Sequence, residues 1–240
     1  MVGPRGRPGP GTNRIFALLP PDVNERVRRK CRPVHFELGQ VILPQDGRIE
    51  HAWFSTGVVF SAVVRMDDGR SVEAVPAGFE GMVGVATLLG ESISQYEVTI
   101  QGAGDALQIS VPDLLRLAED EPAVRDLLLR YAQIQMIQAA RSAACNRLHD
   151  VEERLARWLL HMHDWIWADH MQLTQEFLAI MLGVRRASVT VAARTLQNAG
   201  LISYARGEIM ILDRDGLEAV ACEDYFTIRD AFDRLLPLEG

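Results

Sequence analysis

The chain has 240 residues, of which 48% are hydrophobic and 24% are charged. This balance is ordinary for a folded globular protein of one or two domains and excludes a largely disordered or fibrous one. The formal net charge is −7, so the whole protein is not a general binder of polyanions. Any contact with nucleic acid would need a local basic patch.

The N-terminal segment, residues 1–12, is rich in Gly, Pro and Arg and lacks the apolar middle region of a signal peptide. We predict that it is a disordered tail. Cys31, Cys145 and Cys222 are odd in number, far apart and without CxxC spacing, so we expect buried structural thiols and neither a disulfide framework nor a zinc site. No run approaches the ~18 apolar residues of a membrane span. These features predict a cytoplasmic protein with no membrane partner.

Residues 13–121 are predicted to form a β domain that follows a short helix near residues 22–29. Its β-prone segments, separated by Gly-containing turns, are residues 34–43, 51–55, 58–66, 70–75, 95–101 and 106–111. Short strands at this spacing are typical of a closed or sandwiched all-β domain. The clearest hairpin signal is Asp68-Gly69 between two of these segments.

The pattern becomes helical at Pro112, and residues 122–150 predict one long helix with an apolar side at spacings of three and four. A helix of about seven turns has little of its own domain to cover that side. We therefore predict a homodimer through the face that contains Leu127, Tyr131, Ile134 and Leu148. The alternative is a core helix packed against its own β domain.

Residues 151–222 predict a winged helix-turn-helix domain, and residues 223–240 a C-terminal helix. After a helix over residues 151–167, Thr174 can cap a helix over residues 175–182, Gly183 permits a tight turn, and a second helix covers residues 185–199. Two β runs, residues 201–204 and 209–212, then form the wing. The local charge over residues 172–214 is 5 − 3 = +2, which favours the major groove of DNA as the partner of the second helix.

The residues expected to contact DNA lie on the second helix and at the tip of the wing: Arg185, Arg186, Ala187, Ser188, Thr190, Val191, Arg194 and Arg206. Arg186, with Arg185, suits guanine, and apolar Ala187 and Val191 suit a thymine methyl group. The others suit phosphate. The alternative is a winged helix that binds protein, for which Ala187 and Val191 leave room. Motifs of hydrolases, nucleotide-binding loops and zinc proteases are absent from the sequence, so an enzyme is not expected.

This order of domains resembles the Crp/Fnr family of bacterial transcription regulators. The resemblance is carried by residues 78–84 (GFEGMVG), 173–179 (LTQEFLA), 182–189 (LGVRRASV) and 196–202 (LQNAGLI). It implies an α+β fold with an N-terminal antiparallel β-barrel of the jelly-roll type, which senses a small signal, then a long dimerisation helix and a C-terminal winged helix-turn-helix. It also implies a homodimer that binds double-stranded DNA at a palindromic operator and works with RNA polymerase.

The departures of this sequence from the family pattern indicate which cofactors to expect. In members that bind cyclic AMP, a Glu of the barrel contacts the ribose and an Arg contacts the phosphate. Glu80 stands at the Glu position and is a candidate ligand residue, although it can instead cap backbone amides in its loop. No Arg or Lys lies between Arg70 and Arg116, and burying a phosphate without a cation costs several kcal/mol, so a cyclic nucleotide is not expected.

Other cofactors are not expected either. Three cysteines are too few for the four-Cys iron–sulfur cluster of the oxygen-sensing branch. His161 and His163 are two positions apart and therefore lie on different faces of a helix. We expect these two and His170 to be surface or interhelical histidines that form no metal site. In the recognition helix Ala187 and Val191 replace the Glu and second Arg of the common family pattern, which predicts an unusual operator.

Overall fold

The computed structural model describes residues 11–238. The predicted disordered tail therefore lies outside the described residues except for its last two positions. Helices α1 (Arg14–Ala17) and α2 (Pro21–Lys30) come first. Eight strands follow: β1 (Arg32–Phe36), β2 (Val41–Leu43), β3 (His51–Ser55), β4 (Val59–Arg65), β5 (Ser71–Ala77), β6 (Met82–Val83), β7 (Glu97–Gly102) and β8 (Gly104–Ser110).

These strands form two four-stranded antiparallel sheets, with the orders β1-β8-β3-β6 and β2-β7-β4-β5. Alternation of strands between two sheets is the jelly-roll arrangement, which confirms the predicted β domain. The two layers remain separate hydrogen-bonded sheets and do not close into one cylinder. Their shared core is Phe36, Leu43, Ile49, Trp53, Val58, Phe60, Ala77, Val98, Ile100 and Ala106.

The local signals in this domain act as expected, with two differences. The predicted Asp68-Gly69 turn joins β4 to β5, and Gly69 has a φ of +84°, where a residue without Cβ is favoured. The predicted strand over residues 34–43 is in fact two strands, because Gly39, with a φ of +80°, turns the chain between them. Two-residue β6 carries no alternating pattern that sequence analysis could detect.

Three helices lead out of the jelly roll: α3 (Val111–Asp120), α4 (Pro122–Leu148) and α5 (Val151–Ile166). Pro122 occupies the first turn of α4, where its missing N–H needs no partner. The helix then runs for 27 residues to its C-cap at His149. The backbone N–H of Asp150 donates to Glu153, which caps the start of α5. Residues 149–150 therefore form the break between the long helix and the C-terminal part of the chain.

The C-terminal part contains the predicted winged helix-turn-helix. Its elements are β9 (His170–Gln172), α6 (Gln175–Leu182), α7 (Arg186–Asn198), β10 (Ile202–Ala205), β11 (Glu208–Ile211) and α8 (Arg214–Val220), and the last helix, α9 (Asp224–Leu235), follows it. No helix within residues 11–238 combines the length and the apolar character that crossing a bilayer requires.

The predicted dimer face of α4 is wrong for three of its four residues. Leu127, Tyr131 and Ile134 are buried inside their own chain, where α9 folds back along α4 and adds Phe232 to the same core. The Tyr131 hydroxyl also donates to the carbonyl of Met82 at 3.0 Å. The alternative, a core helix packed on its own domain, describes this face. An apolar stripe has the same spacing in both cases, so the sequence pattern could not distinguish them.

The C-terminal part also packs against the jelly roll, through the buried carboxylate of Glu73 in β5. This carboxylate accepts hydrogen bonds from Ser61 Oγ (2.8 Å), Gln101 Nε2 (2.8 Å) and, from α5, Trp158 Nε1 (3.1 Å). Burial raises the pKa of Glu73, although the three donors oppose the shift. Because Trp158 packs against α6 through Phe177, this contact positions the helix-turn-helix relative to the jelly roll.

Truncating two residues of the predicted apolar stripe tests which face of α4 is core. We expect Ile134→Ala, at a side chain that is 0% exposed, to lower the free energy of unfolding by about 2–5 kcal/mol. Leu148→Ala, at a side chain that is 76% exposed, is expected to change it by less than about 0.5 kcal/mol. Urea unfolding measures both values, and equal losses would contradict the burial described here.

The raised pKa of Glu73 makes stability depend on pH. The folded chain binds this proton more tightly than the unfolded chain does. The protonated carboxyl therefore contributes most to stability below its ordinary pKa of 4.5, and this contribution falls as the pH rises through the pKa of the folded chain. As the pH is raised above that ordinary value, we expect the Tm of the native chain to fall relative to that of Glu73→Gln. Exposed Glu119→Gln is the control. A Tm difference between the native chain and Glu73→Gln that does not change with pH would contradict the shift.

Candidate nucleic-acid interface

The helix-turn-helix is built from α6 and α7 as the residue pattern predicts. Thr174 caps α6, its side-chain oxygen accepting from the backbone N–H of Phe177 at 3.1 Å. Gly183 ends α6 with a φ of +61°, and its backbone N–H bonds back to the carbonyl of Ile180. The two helices share a small apolar core, with Val184 partly buried and the others buried: Leu178, Leu182, Val184, Val189, Ala193 and Leu196.

The wing is a three-stranded antiparallel sheet with the order β10-β11-β9. Sequence analysis missed β9, because three residues at the edge of a sheet carry no alternating pattern. At the tip, Arg206 and Gly207 have φ values of +54° and +83°, which matches the tight two-residue turn of a hairpin. For Arg206 this left-handed conformation costs roughly 1–2 kcal/mol. The turn holds its exposed side chain at the end of the wing.

The predicted DNA-contacting residues lie at the start and on the outward side of α7, except Arg206, which lies at the tip of the wing. Most are exposed, and Val191 is 62% exposed, whereas Ser188 and Thr190 are half-buried. Arg186 and Arg206 line the same cleft between the start of α7 and the wing, together with Thr174 and Gln175. Arg185 and Ser188 line a neighbouring groove that faces the β4–β5 hairpin. Neither depression includes Ala187, Val191 or Arg194.

Arg186 is held on α6 by contacts that the sequence analysis did not anticipate. Its Nε donates to Gln175 Oε1 at 3.3 Å, and its Nη1 lies 3.7 Å from Glu176 Oε2. The hydroxyl of Thr190 donates to the same Gln175 oxygen at 3.0 Å. The ion pair of Arg186 is well exposed, so it contributes little to stability, and the guanidinium can leave it at low cost. Gln175 therefore orients the residue predicted to read a base.

Arg154 and Val72 are among the side chains that attach the helix-turn-helix to the rest of the chain. The buried guanidinium of Arg154 in α5 donates to the carbonyl of Leu182, at the end of α6, and to Asn146 Oδ1 of α4 at 2.7 Å. Val72 of β5 packs at the turn, where a Cβ added to Gly183 would lie 2.9 Å from it. The position of α7 thus depends on both α4 and the jelly roll.

A cavity of about 250 Å³ lies between the jelly roll and α4. Its lining is mainly apolar, and among the described residues around it Glu91 is the only charged one. Gln135 and Met136 bring α4 into the lining. Glu80, the candidate ligand residue, is not part of it. Instead its buried carboxylate accepts from Trp165 Nε1 at 3.3 Å and lies 3.5 Å from Arg14 Nη1.

The three histidines considered in the sequence analysis do not converge. His161 stacks on Trp165, the His163 ring lies 2.7 Å from Asp169, and the His170 ring lies 3.6 Å from Glu208. Cys145 and Cys222 are buried free thiols, as expected, and Cys31 is a half-buried free thiol, but the closeness of two of them was not expected. Cys31 is a separate thiol, but Cys145 and Cys222, 77 positions apart, place their sulfurs 3.5 Å from each other.

A family model described as the Crp-like helix-turn-helix domain matches residues 153–220. Several solved structures share the fold, and three of them illustrate the similarity. FixK2 from Bradyrhizobium japonicum is 15% identical with a TM-score of 0.68, over 80% of this chain and 98% of that one. The c-di-GMP-responsive global regulator CLP from Xanthomonas campestris is 16% identical with a TM-score of 0.66, over 79% and 98%. A CRP-family transcriptional regulator from Thermus thermophilus is 20% identical with a TM-score of 0.65, over 78% and 96%.

None of the curated proteins compared with this sequence matches it. The family model identifies the helix-turn-helix as Crp-like, and the solved structures share the order of jelly roll, long helix and winged helix-turn-helix. The predicted resemblance is thereby confirmed for the helix-turn-helix by the family model and for the fold by the solved structures.

Proposed function

We propose that this chain is a homodimeric transcription regulator that binds a palindromic DNA operator. The observation that carries the proposal is the exposed, basic start of α7, where Arg186 shares a cleft with Arg206 of the wing. A duplex that enters this cleft would meet one Arg from the reading helix and one from the wing. The Crp-like helix-turn-helix domain over residues 153–220 supports the same partner.

The exposed side of α7 favours a division of roles among its residues. Arg186, with Arg185, is suited to guanine O6 and N7 once Arg186 leaves Gln175. The methyl groups of Ala187 and Val191 can touch only a thymine methyl group. The operator therefore differs from the operators of proteins that have charged residues at these two positions. The remaining residues are suited to phosphates, which position the protein without specifying sequence: Ser188, Thr190, Arg194 and Arg206.

The outer face of α4 is the candidate dimer face, since α9 and the jelly roll leave it uncovered. Leu129, Met136, Ala140 and Ala143 are exposed on it, and Met136 is 70% exposed. The two Ala residues permit close approach of a second α4 helix. Two-fold symmetry would then place the α7 helices in major grooves about 34 Å apart, or a multiple of that distance, on a palindromic operator. RNA polymerase is the partner that the Crp/Fnr resemblance implies.

The cavity beneath α4 is the candidate signal site, and cyclic AMP does not fit its chemistry. A phosphate there would meet Glu91 and no cation among the described lining residues, which disfavours an anionic ligand. A small, mainly apolar molecule fits better. Because Met136 belongs both to this lining and to the outer face of α4, a ligand in the cavity would act directly on the dimer face.

Substituting the two arginines of the cleft separates base reading from phosphate binding. We expect Arg186→Ala to lose about 1–3 kcal/mol on the specific operator and to relax one base position, because it removes a bidentate contact. Arg206→Ala is expected to weaken binding to all DNA sequences alike and to reduce the slope of log affinity against log salt concentration by about one. Fluorescence anisotropy over a salt series measures both, with remote, exposed Arg29→Ala as the control. Equal losses on operator and random DNA from both variants would contradict the division.

A charge on the outer face of α4 tests the dimer. Met136→Glu is expected to give a monomer, because it places two carboxylates in the apolar contact between paired helices. Arg130→Glu is the matched control, since Arg130 is exposed about a third of a turn around the same helix. Light scattering coupled to size exclusion gives the mass. A monomeric native chain, or a dimer that survives Met136→Glu, would contradict this face.

A further inference from the structure

Four potential metal ligands meet where α4 ends and α9 begins. Cys145 lies in the last turn of α4, His149 follows that helix, and Cys222 and Asp224 lie at the start of α9. One ligand atom of each lies within 4.8 Å of the others. The two sulfurs are 3.5 Å apart, which is longer than the ~2.05 Å of a disulfide bond. It is close to the ~3.8 Å expected for two thiolates bound at ~2.3 Å to one tetrahedral zinc ion.

Local structure places these side chains together. Residues four apart share a face of a helix, so Cys145 and His149 project to the same side of the end of α4. The backbone N–H of His149 still bonds to the carbonyl of Cys145 at 3.1 Å. At the other element, Cys222 Sγ lies 3.9 Å from Asp224 Oδ2. The spacings Cys-x-x-x-His and Cys-x-Asp were thus the signal in the sequence, but only the return of α9 along α4 brings them together.

The imidazole of His149 is oriented as in a metal-binding histidine. Its Nδ1 is buried and faces the cluster, 3.3 Å from Asp224 Oδ2. Its Nε2 lies 3.0 Å from Glu223 Oε2. A metal-binding His commonly donates its second ring N–H to a carboxylate, which fixes the tautomer. Nδ1 is therefore the nitrogen available to an ion.

The burial of the cluster favours a bound cation. Cys145, Cys222 and Asp224 are all buried, and a buried carboxylate such as that of Asp224 needs a partner of opposite charge. A bound cation would supply that charge and would also favour the thiolate form of the cysteines, which is the form that binds metal. Arg141 Nη1, at 3.3 Å from Asp224 Oδ1, orients the carboxylate from outside the cluster.

We propose that Cys145, His149, Cys222 and Asp224 bind one divalent metal ion of the zinc type, which ties the end of α4 to the start of α9. Two thiolates and an imidazole select a soft or borderline ion, whereas magnesium and calcium prefer oxygen ligands. Four protein ligands complete a tetrahedral zinc site and leave no position open for catalysis. This proposal departs from the expectation, drawn from the sequence, that the cysteines form no zinc site.

The site lies beside residues 149–150, which form the break between α4 and the C-terminal part that contains the helix-turn-helix. An ion that fixes α4 to α9 would restrict the angle between α4 and α5, and so the position of α7. This consequence, unlike the site itself, rests on the proposed DNA-binding function. We expect removal of the ion to weaken operator binding and its return to restore it.

Cobalt provides a direct readout of the site, because Co²⁺ takes the tetrahedral geometry of zinc and its spectrum reports thiolate ligands. The full chain, reduced and stripped by a chelator, is titrated with Co²⁺ without oxygen. We expect saturation at one equivalent, with thiolate-to-cobalt charge-transfer bands and the strong visible bands of tetrahedral cobalt, and loss of both on addition of Zn²⁺. Absence of thiolate bands would overturn the proposal.

The variants assign the ligands. Cys145→Ser and Cys222→Ser are expected to lose the charge-transfer bands in proportion to the sulfurs removed, whereas Cys31→Ser is expected to keep them, because the Cys31 thiol lies outside the cluster. His149→Gln retains both thiols and is expected to shift the visible bands and to weaken zinc binding at least about tenfold. Unchanged spectra in these variants would overturn the assignment.

Two further measurements separate the possible failures. Mass spectrometry of alkylated peptides from protein purified without reductant detects a disulfide between Cys145 and Cys222. That bond together with absent cobalt bands would make the pair a redox pair and overturn the metal site. Operator binding is measured separately with and without one equivalent of Zn²⁺. If the zinc-loaded chain binds no DNA, the proposed function is refuted, whereas the metal site shown by cobalt is not affected.

Discussion

The burial of one face of α4 by its own chain is the constraint on which the rest of the structure depends. Strands of the jelly roll and the returning α9 enclose Tyr131 and Ile134, so that face is not available to a partner. The opposite face, with Met136 at its centre, remains exposed. The same helix therefore borders the cavity, presents the candidate dimer face and ends at the break before α5, so three features of the proposed regulator lie along α4.

The C-terminal part is attached to α4 and to the jelly roll by polar contacts that are buried and specific. Arg154 joins α4 and α5 to the end of α6, and Glu73 joins the jelly roll to α5 through Trp158. Buried polar groups of this kind are unfavourable when they lose a partner, so they favour one relative position of the domains over many. By contrast, Arg186 is held by exposed contacts that are easily exchanged for contacts with a duplex. Stability and the proposed reading of DNA therefore depend on different residues.

Sequence analysis predicted the features that depend on local pattern, and it failed where distant segments meet. The helix-turn-helix follows from Thr174, Gly183 and a periodic core, which are all local signals. The face of α4 could not be assigned, because its cover, α9, lies about a hundred residues further along the chain and pattern alone does not reveal contact partners. The same return of α9 joins Cys145 to Cys222, which sequence spacing had separated. Contacts of Gln175 with Arg186 depend on the angle between two helices, which no spacing specifies.

The central claim is that two copies of this chain present two α7 helices to one duplex, and selection from random double-stranded DNA tests it most directly. The account predicts enrichment of an inverted repeat whose half-sites are centred one helical turn, or a whole number of turns, apart. It also predicts that the half-site differs from the commonest one in the Crp/Fnr family, given Ala187 and Val191. Enrichment of a single unpaired half-site, of the common family palindrome, or of no sequence would contradict it.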